Sequence, residues 1–390
     1  MSVDQAGIAN SKVQIYFGAV LAVFILSFML GTSSKATNNL FYAFMALPAL
    51  YVLVKHRGAG IFAQPLGIAW AVFMAWFFVP AVYSQDFQFY KHIVYVSLFV
   101  FAIGGLVNSQ FLHKAGVARG LFWVICLYVL VSSVHSWVTG QFEFGKRVEI
   151  LPARMANVIY TSAWLVGALG LALPVWLKER RWVEGASAIV LTLVIAALIV
   201  QTRTALVGAA FLFGICTLYS LYRFPKPTLV TLLVLAVAAG IAFWVVKDEQ
   251  WVKLLMVRGD SYRIELFEIM TGEWRNCGWF LGCGVDFVTT KTLTGGMAIQ
   301  HPHNIFVSLG VYTGAMSLVL FIVVMAMTLW SALRLRSPWG LYLAASLVML
   351  NFDGSKLVGN PDELWVLVLL PAAAILARVV QERHKHRLMR

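Results

Sequence analysis

The sequence predicts an all-α polytopic membrane protein, a single transmembrane domain over residues 1–390 that crosses the bilayer about twelve times. Of its residues, 61% are hydrophobic and only 12% are charged, against roughly a quarter charged in an average soluble domain. Apolar stretches long enough to cross about 30 Å of hydrocarbon follow one another along nearly the whole chain. The net charge of +13 does not predict nucleic-acid binding, because the basic residues form short clusters between apolar stretches, where they set topology.

Short polar turns separate the predicted spans, with one exception. The spans cover residues 13–31, 38–54, 64–83, 90–107, 117–138, 158–177, 183–200, 204–222, 228–246, 304–330, 338–352 and 363–380. Basic residues concentrate in alternate turns, such as those at Lys55, Lys114 and Arg180, and in the C-terminal tail. The positive-inside rule therefore predicts that both termini are cytoplasmic.

The exception is the polar segment 247–303, which lies between the ninth and tenth predicted spans. Loops of this length are uncommon unless they are functional or disordered, and the aromatic content of this one favours order. Within it, Ile264, Phe267 and Met270 recur at helical spacing. The segment is predicted to lie on the outer side, to contain short helices and to cover an active site.

Arg203 occupies the minimal turn Gln201–Thr204 between the seventh and eighth predicted spans. An arginine on the outer side opposes the positive-inside bias, and an ionisable group held between spans indicates function by default. The alternative is an interfacial side chain that reaches the lipid headgroups.

Arg263 stands at the start of the helical pattern, with Ser261 before it as a candidate N-cap. A cation in the first turn opposes the helix dipole, whereas a bound anion would complement both the helix end and the guanidinium group. This position indicates an anion site. The alternative is a surface ion pair with Glu265 or Glu268.

His303 stands at the outer end of the tenth predicted span. On a continuous helix it would share a face with Gly310, Gly314 and Ser317. Small residues let another helix approach closely, so this face is expected to be buried and to fix the imidazole. Histidine ordinarily titrates near neutral pH and can act as a general base. The alternative is a packed interfacial histidine.

Two further hypotheses concern this region. His301 and His303 could ligate a metal ion, but Pro302 between them makes an extended dipeptide instead of the i, i+4 pair that places two imidazoles together on a helix. No metal and no other cofactor is predicted. Cys277 and Cys283, six residues apart, could form a disulfide on an oxidising side, and the sequence leaves that pairing open.

Three motifs resemble those of the bacterial O-antigen ligases. His303-Asn304, nine residues, then Gly314 and two more before Ser317 is similar to the signature of that family, in which the last position is Gly, Thr or Tyr. The run 263–267 is similar to the arginine-containing helix of the family's large periplasmic loop, and the turn 202–204 resembles its other arginine turn. Twelve spans with one large loop between the ninth and tenth also match the family arrangement.

The resemblance implies a metal-independent, inverting membrane glycosyltransferase of the GT-C type. Such a ligase transfers O-antigen polysaccharide from undecaprenyl pyrophosphate to a sugar hydroxyl of lipid A–core, at the periplasmic face of the inner membrane. Arg203 and Arg263 would stabilise the pyrophosphate, and His303 would be the general base for the acceptor hydroxyl. The expected partners are these two lipid-linked substrates and the membrane lipids.

Five other residues on the predicted outer side are secondary candidates for substrate binding: Arg147, Arg154, Asn304, Asp353 and Glu265. The two loop arginines could steer an anionic substrate. Asp353 could orient His303 as its carboxylate partner.

Two alternative functions remain open at this point. O-antigen polymerases and O-linked oligosaccharyltransferases use the same lipid-linked donor with a different acceptor, and the sequence does not separate them cleanly. A transporter or flippase of an anionic lipid or solute would bind its substrate with the same arginines. Against a transporter, no internal repeat is evident, and the candidate charges cluster at the outer boundary instead of the midplane.

Overall fold

The computed structural model describes residues 11–31, 33–84, 86–144, 146–247 and 262–388. Within these ranges the chain is helical, and its extended residues form only two isolated β-bridges. The principal helices are α1 (Ser11–Leu30), α2 (Ser34–Lys55), α3 (Pro65–Tyr83), α4 (Phe87–Leu106), α5 (Ala115–Val138), α6 (Val158–Lys178), α7 (Trp182–Ile199), α8 (Arg203–Arg223), α9 (Pro225–Val246), α10 (Arg263–Cys277), α11 (Ile305–Leu335), α12 (Trp339–Leu350) and α13 (Trp365–Arg383).

The predicted all-α membrane class is confirmed. Among the described residues, ten helices are long and apolar enough to cross a membrane, namely α1 to α8, α11 and α13. The ninth predicted span coincides with α9. The eleventh falls on α12, whose 12 residues extend only about 18 Å, well short of the hydrocarbon thickness of about 30 Å. The count of twelve spans and the periplasmic placement of the loop remain predictions.

The centre of the bundle is α6, which is 83% buried over its most apolar stretch. It packs against α5, α7, α8 and α12. A Cβ on Gly167 of α6 would lie 3.1 Å from the ring of Tyr342 in α12. Small residues thus let these two helices approach closely, and α12 ends at Leu350, just before the turn that carries Asp353.

Helix α10 packs against the first turns of α11. Its buried residues are Leu266, Met270 and Trp274, which follow one another at i, i+4 and i+8 and join an apolar cluster with α11. The predicted helix is therefore present, but the predicted apolar face is wrong in part, because Ile264 and Phe267 are exposed. Ser261, the candidate N-cap, lies outside the described residues.

Helix α11 is interrupted at Gly314, whose φ of +85° and ψ of 172° are not helical. The segment 278–284 packs into this break, where Ala315 N donates to Trp279 O over 2.8 Å. A Cβ on Gly314 would lie 1.8 Å from Phe280 O, so no larger residue fits. Ser317 Oγ donates to Gly314 O at 2.6 Å and satisfies a carbonyl that the break exposes.

Of two expectations about the first turns of α11, one is confirmed and the other is wrong. Close approach at the small residues is confirmed, since a Cβ on Gly310 would lie 2.3 Å from the Trp274 ring. The expectation that His303 shares that helical face is wrong, because α11 begins at Ile305 and His303 lies before it with φ +50°. The segment that packs into the break is closed by a disulfide between Cys277 and Cys283, the pairing that the sequence left open.

Candidate active site

A histidine–aspartate pair forms the centre of the candidate site. His303 Nδ1 lies 2.9 Å from Asp353 Oδ1, and the Asp353 side chain is only 3% exposed, against 42% for His303. A carboxylate accepts hydrogen bonds, so we assign the imidazole proton to Nδ1. The lone pair of Nε2 is then the basic atom on the more exposed side chain.

The backbone around His303 is held in an unusual conformation. Its φ of +50° lies in the left-handed region, which side chains other than glycine rarely adopt. The N–H of His303 donates to Nδ1 of His301 over 3.2 Å, and the two rings lie 3.8 Å apart. Burial lowers the pKa of His301, and the neighbouring His303 acts in the same direction. This favours the neutral imidazole, the form that can accept a hydrogen bond.

Asn304 is the N-cap of α11. Its Oδ1 accepts hydrogen bonds from Phe306 N at 2.9 Å and Val307 N at 3.1 Å, and its Nδ2 donates to Asn351 O at 2.9 Å. Asn304 therefore caps the helix and ties its first turn to the turn that carries Asp353. These contacts give it a structural role beside the site.

The two arginines of the predicted anion site begin two different helices that meet. Arg263, the first residue of α10, donates from Nη2 to Thr204 Oγ1 at 3.4 Å. Thr204 follows Arg203, which is the first residue of α8. The Arg263 guanidinium carbon also lies 5.8 Å from the centre of the Phe352 ring, next to Asp353. Residues far apart in the sequence thus converge around the histidine–aspartate pair.

Electrostatics in this cluster favour a bound anion. Burial lowers the pKa of Arg263 from its ordinary value, Asp353 opposes that shift, and the charge of Arg203 adds to it. Two guanidinium groups close enough to repel each other, each at a helix N-terminus, are stabilised when an anion binds between them. The alternative of Arg203 as an isolated headgroup contact does not account for this proximity.

The two secondary arginines lie in different places. Arg147 donates from Nε to Val200 O at 3.2 Å, which holds its loop beside the turn of Arg203. Arg154 donates from Nη2 to Pro361 O at 2.9 Å, near the start of α13. The structure therefore brings Arg147 toward the arginine pair and anchors Arg154 elsewhere.

Glu265 holds a neighbouring loop in place. Its Oε1 accepts hydrogen bonds from both N and Oγ1 of Thr294, each at 2.8 Å. This contact fixes the segment before His301 against α10. Glu265 therefore has a structural role. It binds Thr294 and not Arg263, so the surface ion pair between Glu265 and Arg263 that was considered above is not formed.

His301, His303 and Asp353 could also hold a metal ion, since their ligand atoms lie within 4.8 Å of one another. The reasoning that Pro302 keeps the two imidazoles apart is wrong, because the left-handed backbone at His303 brings the rings together. In this structure His303 Nδ1 is bound to Asp353 Oδ1, and His301 Nδ1 accepts from the backbone N–H of His303. A zinc ion at about 2.0–2.2 Å from these atoms would replace both hydrogen bonds. The absence of a metal remains a prediction.

Two contacts of the site were missing from the sequence-based prediction. Thr204 and Phe352 touch Arg263. Thr204 belongs to the arginine turn 202–204, and the signal for Phe352 in the sequence is its position next to Asp353. Together these residues place a basic nitrogen beside two cations. Such an arrangement suits removal of a proton from a nucleophile and stabilisation of an anionic leaving group.

The chain is 26% identical to the O-antigen ligase of Pseudomonas aeruginosa (strain PAO1), in an alignment that covers 89% of this chain and 86% of that relative. No protein-family model matches the chain. The alignment is therefore nearly full-length on both sides.

Proposed function

Because this chain belongs to the O-antigen ligase family, we propose that it transfers an O-antigen polysaccharide from undecaprenyl pyrophosphate to a sugar hydroxyl of lipid A–core. The observation that carries the proposal is the convergence of Arg203 and Arg263 beside the pair formed by His303 and Asp353. A pyrophosphate leaving group and a neutral hydroxyl nucleophile require these two kinds of residue.

In the proposed reaction the acceptor oxygen attacks the anomeric carbon of the donor glycan. The carbon–oxygen bond to the pyrophosphate breaks, and its electron pair leaves with the phosphate oxygen, where Arg203 and Arg263 stabilise the charge. The hydroxyl proton passes to Nε2 of His303, and Asp353 stabilises the resulting imidazolium through Nδ1. A single displacement of this kind inverts the anomeric configuration.

The site is proposed to face the periplasm. The disulfide between Cys277 and Cys283 supports this orientation, because such bonds persist on the oxidising side of a membrane. The basic turns on the opposite ends of the spans support cytoplasmic termini in the inner membrane. The spans themselves agree with a multi-pass membrane protein.

A reconstituted transfer assay tests the proposal. Purified protein in liposomes receives lipid-linked O-antigen and one of three acceptors: lipid A–core, a second lipid-linked repeat unit, or an acceptor peptide. We expect conjugate with lipid A–core; conjugate only with the repeat unit or the peptide would identify a polymerase or an oligosaccharyltransferase. No conjugate with any acceptor would contradict a transferase.

Two further arms test the chemistry. His303→Ala should lower the transfer rate by about 10²–10⁴-fold, the usual contribution of a general base. Donor binding should stay within about threefold of wild type, because the arginines are intact. EDTA should leave the rate unchanged. Loss of transfer in EDTA and recovery with zinc would instead assign His301, His303 and Asp353 to a metal site.

A further inference from the structure

A separate pocket opens between the C-terminal end of α3 and the segment 281–287. It encloses about 320 Å³, within the range of about 300–1,000 Å³ typical of small-molecule sites. Its lining includes Pro80 and Tyr83 from α3 and Gly282, Asp286 and Phe287 from the segment. None of the residues that form the candidate active site lines this pocket.

The lining combines an apolar surface with one carboxylate. Tyr83 is 76% exposed and presents both a ring face and a hydroxyl group, and Pro80 and Phe287 extend the apolar surface. Asp286 is exposed and can accept hydrogen bonds from hydroxyl groups. A sugar ring fits this surface, because it has an apolar face of C–H groups and hydroxyls at its edge. A phosphate would be repelled by Asp286, which lines the pocket, whereas the neighbouring Lys356 does not line it. A lipid tail would leave the carboxylate unused.

The pocket adjoins the candidate active site through two contacts. Lys356 donates from Nζ to the carbonyl oxygen of Val285. Val285 lies in the sequence between Gly284 and Asp286, which both line the pocket. A Cβ on Gly282 would lie 2.5 Å from Val311 O, so the pocket wall rests directly on α11. Along the turn 351–358, Asp353 lies between Phe352, which contacts Arg263, and Lys356, which contacts the pocket wall.

We propose that this pocket is a glycan subsite, in which the ring of Tyr83 stacks on a sugar residue and the carboxylate of Asp286 accepts hydrogen bonds from its hydroxyls. The proposal rests on the proposed function and adds a saccharide-binding position to it. We assign this sugar to the acceptor core, because Arg203 and Arg263, which would hold the pyrophosphate end of the donor, do not line the pocket.

Binding without turnover is the test. Saturation-transfer NMR on purified protein in detergent is recorded with free core oligosaccharide and, separately, with released O-antigen chains. Tyr83→Ala and Asp286→Asn should each weaken core oligosaccharide binding by about tenfold, the size of one lost stacking or charged hydrogen-bond contact. Tyr83→Phe, which keeps the ring, should stay within about threefold. Matched controls are Tyr222→Ala and Glu268→Gln, both exposed and outside the pocket.

The transfer assay provides the second readout. The same variants should raise the KM for lipid A–core by a similar factor with kcat within about twofold of wild type. Weaker binding and a higher KM for the donor chain instead would confirm a glycan subsite and assign it to the donor. Unchanged binding of both saccharides in Asp286→Asn, an isosteric change at an exposed position, would overturn the proposal. A wild-type protein that binds core oligosaccharide but forms no conjugate would contradict the proposed function and not the subsite.

Discussion

Replacement of Asp353 by asparagine isolates the role of the buried carboxylate. Asp353 Oδ1 lies 2.9 Å from His303 Nδ1 and the side chain is 3% exposed, so the amide occupies the same space. In the proposed mechanism, the substitution removes the negative charge that stabilises the imidazolium. It also offers an amide N–H₂ group that can turn toward Nδ1 and leave the imidazole proton on Nε2.

The expected size of the effect follows from these two changes. Loss of a hydrogen bond to a charged group costs about 1.5–3 kcal/mol, which corresponds to about ten- to 150-fold in rate. The wrong tautomer adds to this, since the equivalent change in a Ser-His-Asp triad lowers kcat by about 10⁴. We therefore expect Asp353→Asn to lower kcat by about 10²–10⁴ with donor binding unchanged.

Single-turnover transfer at saturating donor measures this effect, and the His303→Ala background provides the control. If Asp353 acts through His303, adding Asp353→Asn to His303→Ala causes no further loss, because the two residues work as a unit. A wild-type kcat in Asp353→Asn, or a full additional loss in the double variant, would refute this reasoning.

Three other predictions use matched variants. Arg263→Lys should lower kcat/KM for the donor by about 10- to 100-fold, because an ammonium group cannot reproduce a bidentate guanidinium contact. Arg275 is exposed in the same helix, so the control Arg275→Lys should have no effect. Gly314→Ala should lower the free energy of unfolding by at least about 2 kcal/mol, because its φ is +85° and the added Cβ would meet Phe280 O. The control Gly272→Ala places its Cβ in open space and should stabilise the protein slightly. Thermal melts of the two variants measure the difference. Burial depresses the pKa of His301, so its contribution to stability is present above the ordinary pKa of about 6.5 and is lost as pH falls below it. The melting temperature of wild type should therefore fall more steeply on acidification than that of His301→Asn, and parallel curves would contradict this.

Local patterns were sufficient to predict the helices and several of their ends. Hydrophobic runs located ten helices that the structure confirms as candidate spans, because burial in a bilayer requires a long apolar stretch whatever its neighbours are. Arg263 was predicted in the first turn of a helix, and it is the first residue of α10. Arg203 was predicted in the turn before the eighth span, and it is the first residue of α8. These features depend on composition within about 20 residues of chain.

The errors arose where one local pattern allowed two readings. In α10 a helical repeat can be drawn through Ile264, Phe267 and Met270 or through Leu266, Met270 and Trp274, and contact with α11 selects the second. The prediction that helix α11 continues back to His303 overlooked the next residue, Asn304, which is the N-cap. Asparagine is a preferred N-cap, and this signal alone would have placed the helix start after residue 304.

The sequence by itself determined the membrane class, the order of the helices and the side-chain types available for chemistry, because these follow from hydrophobicity and residue identity. Only the tertiary structure decided which of those side chains meet. The contacts of His303 with Asp353 and of Arg263 with Thr204 join positions 50 and 59 residues apart. Such contacts depend on how the helices pack and on the break at Gly314, and no local period in the sequence encodes that arrangement.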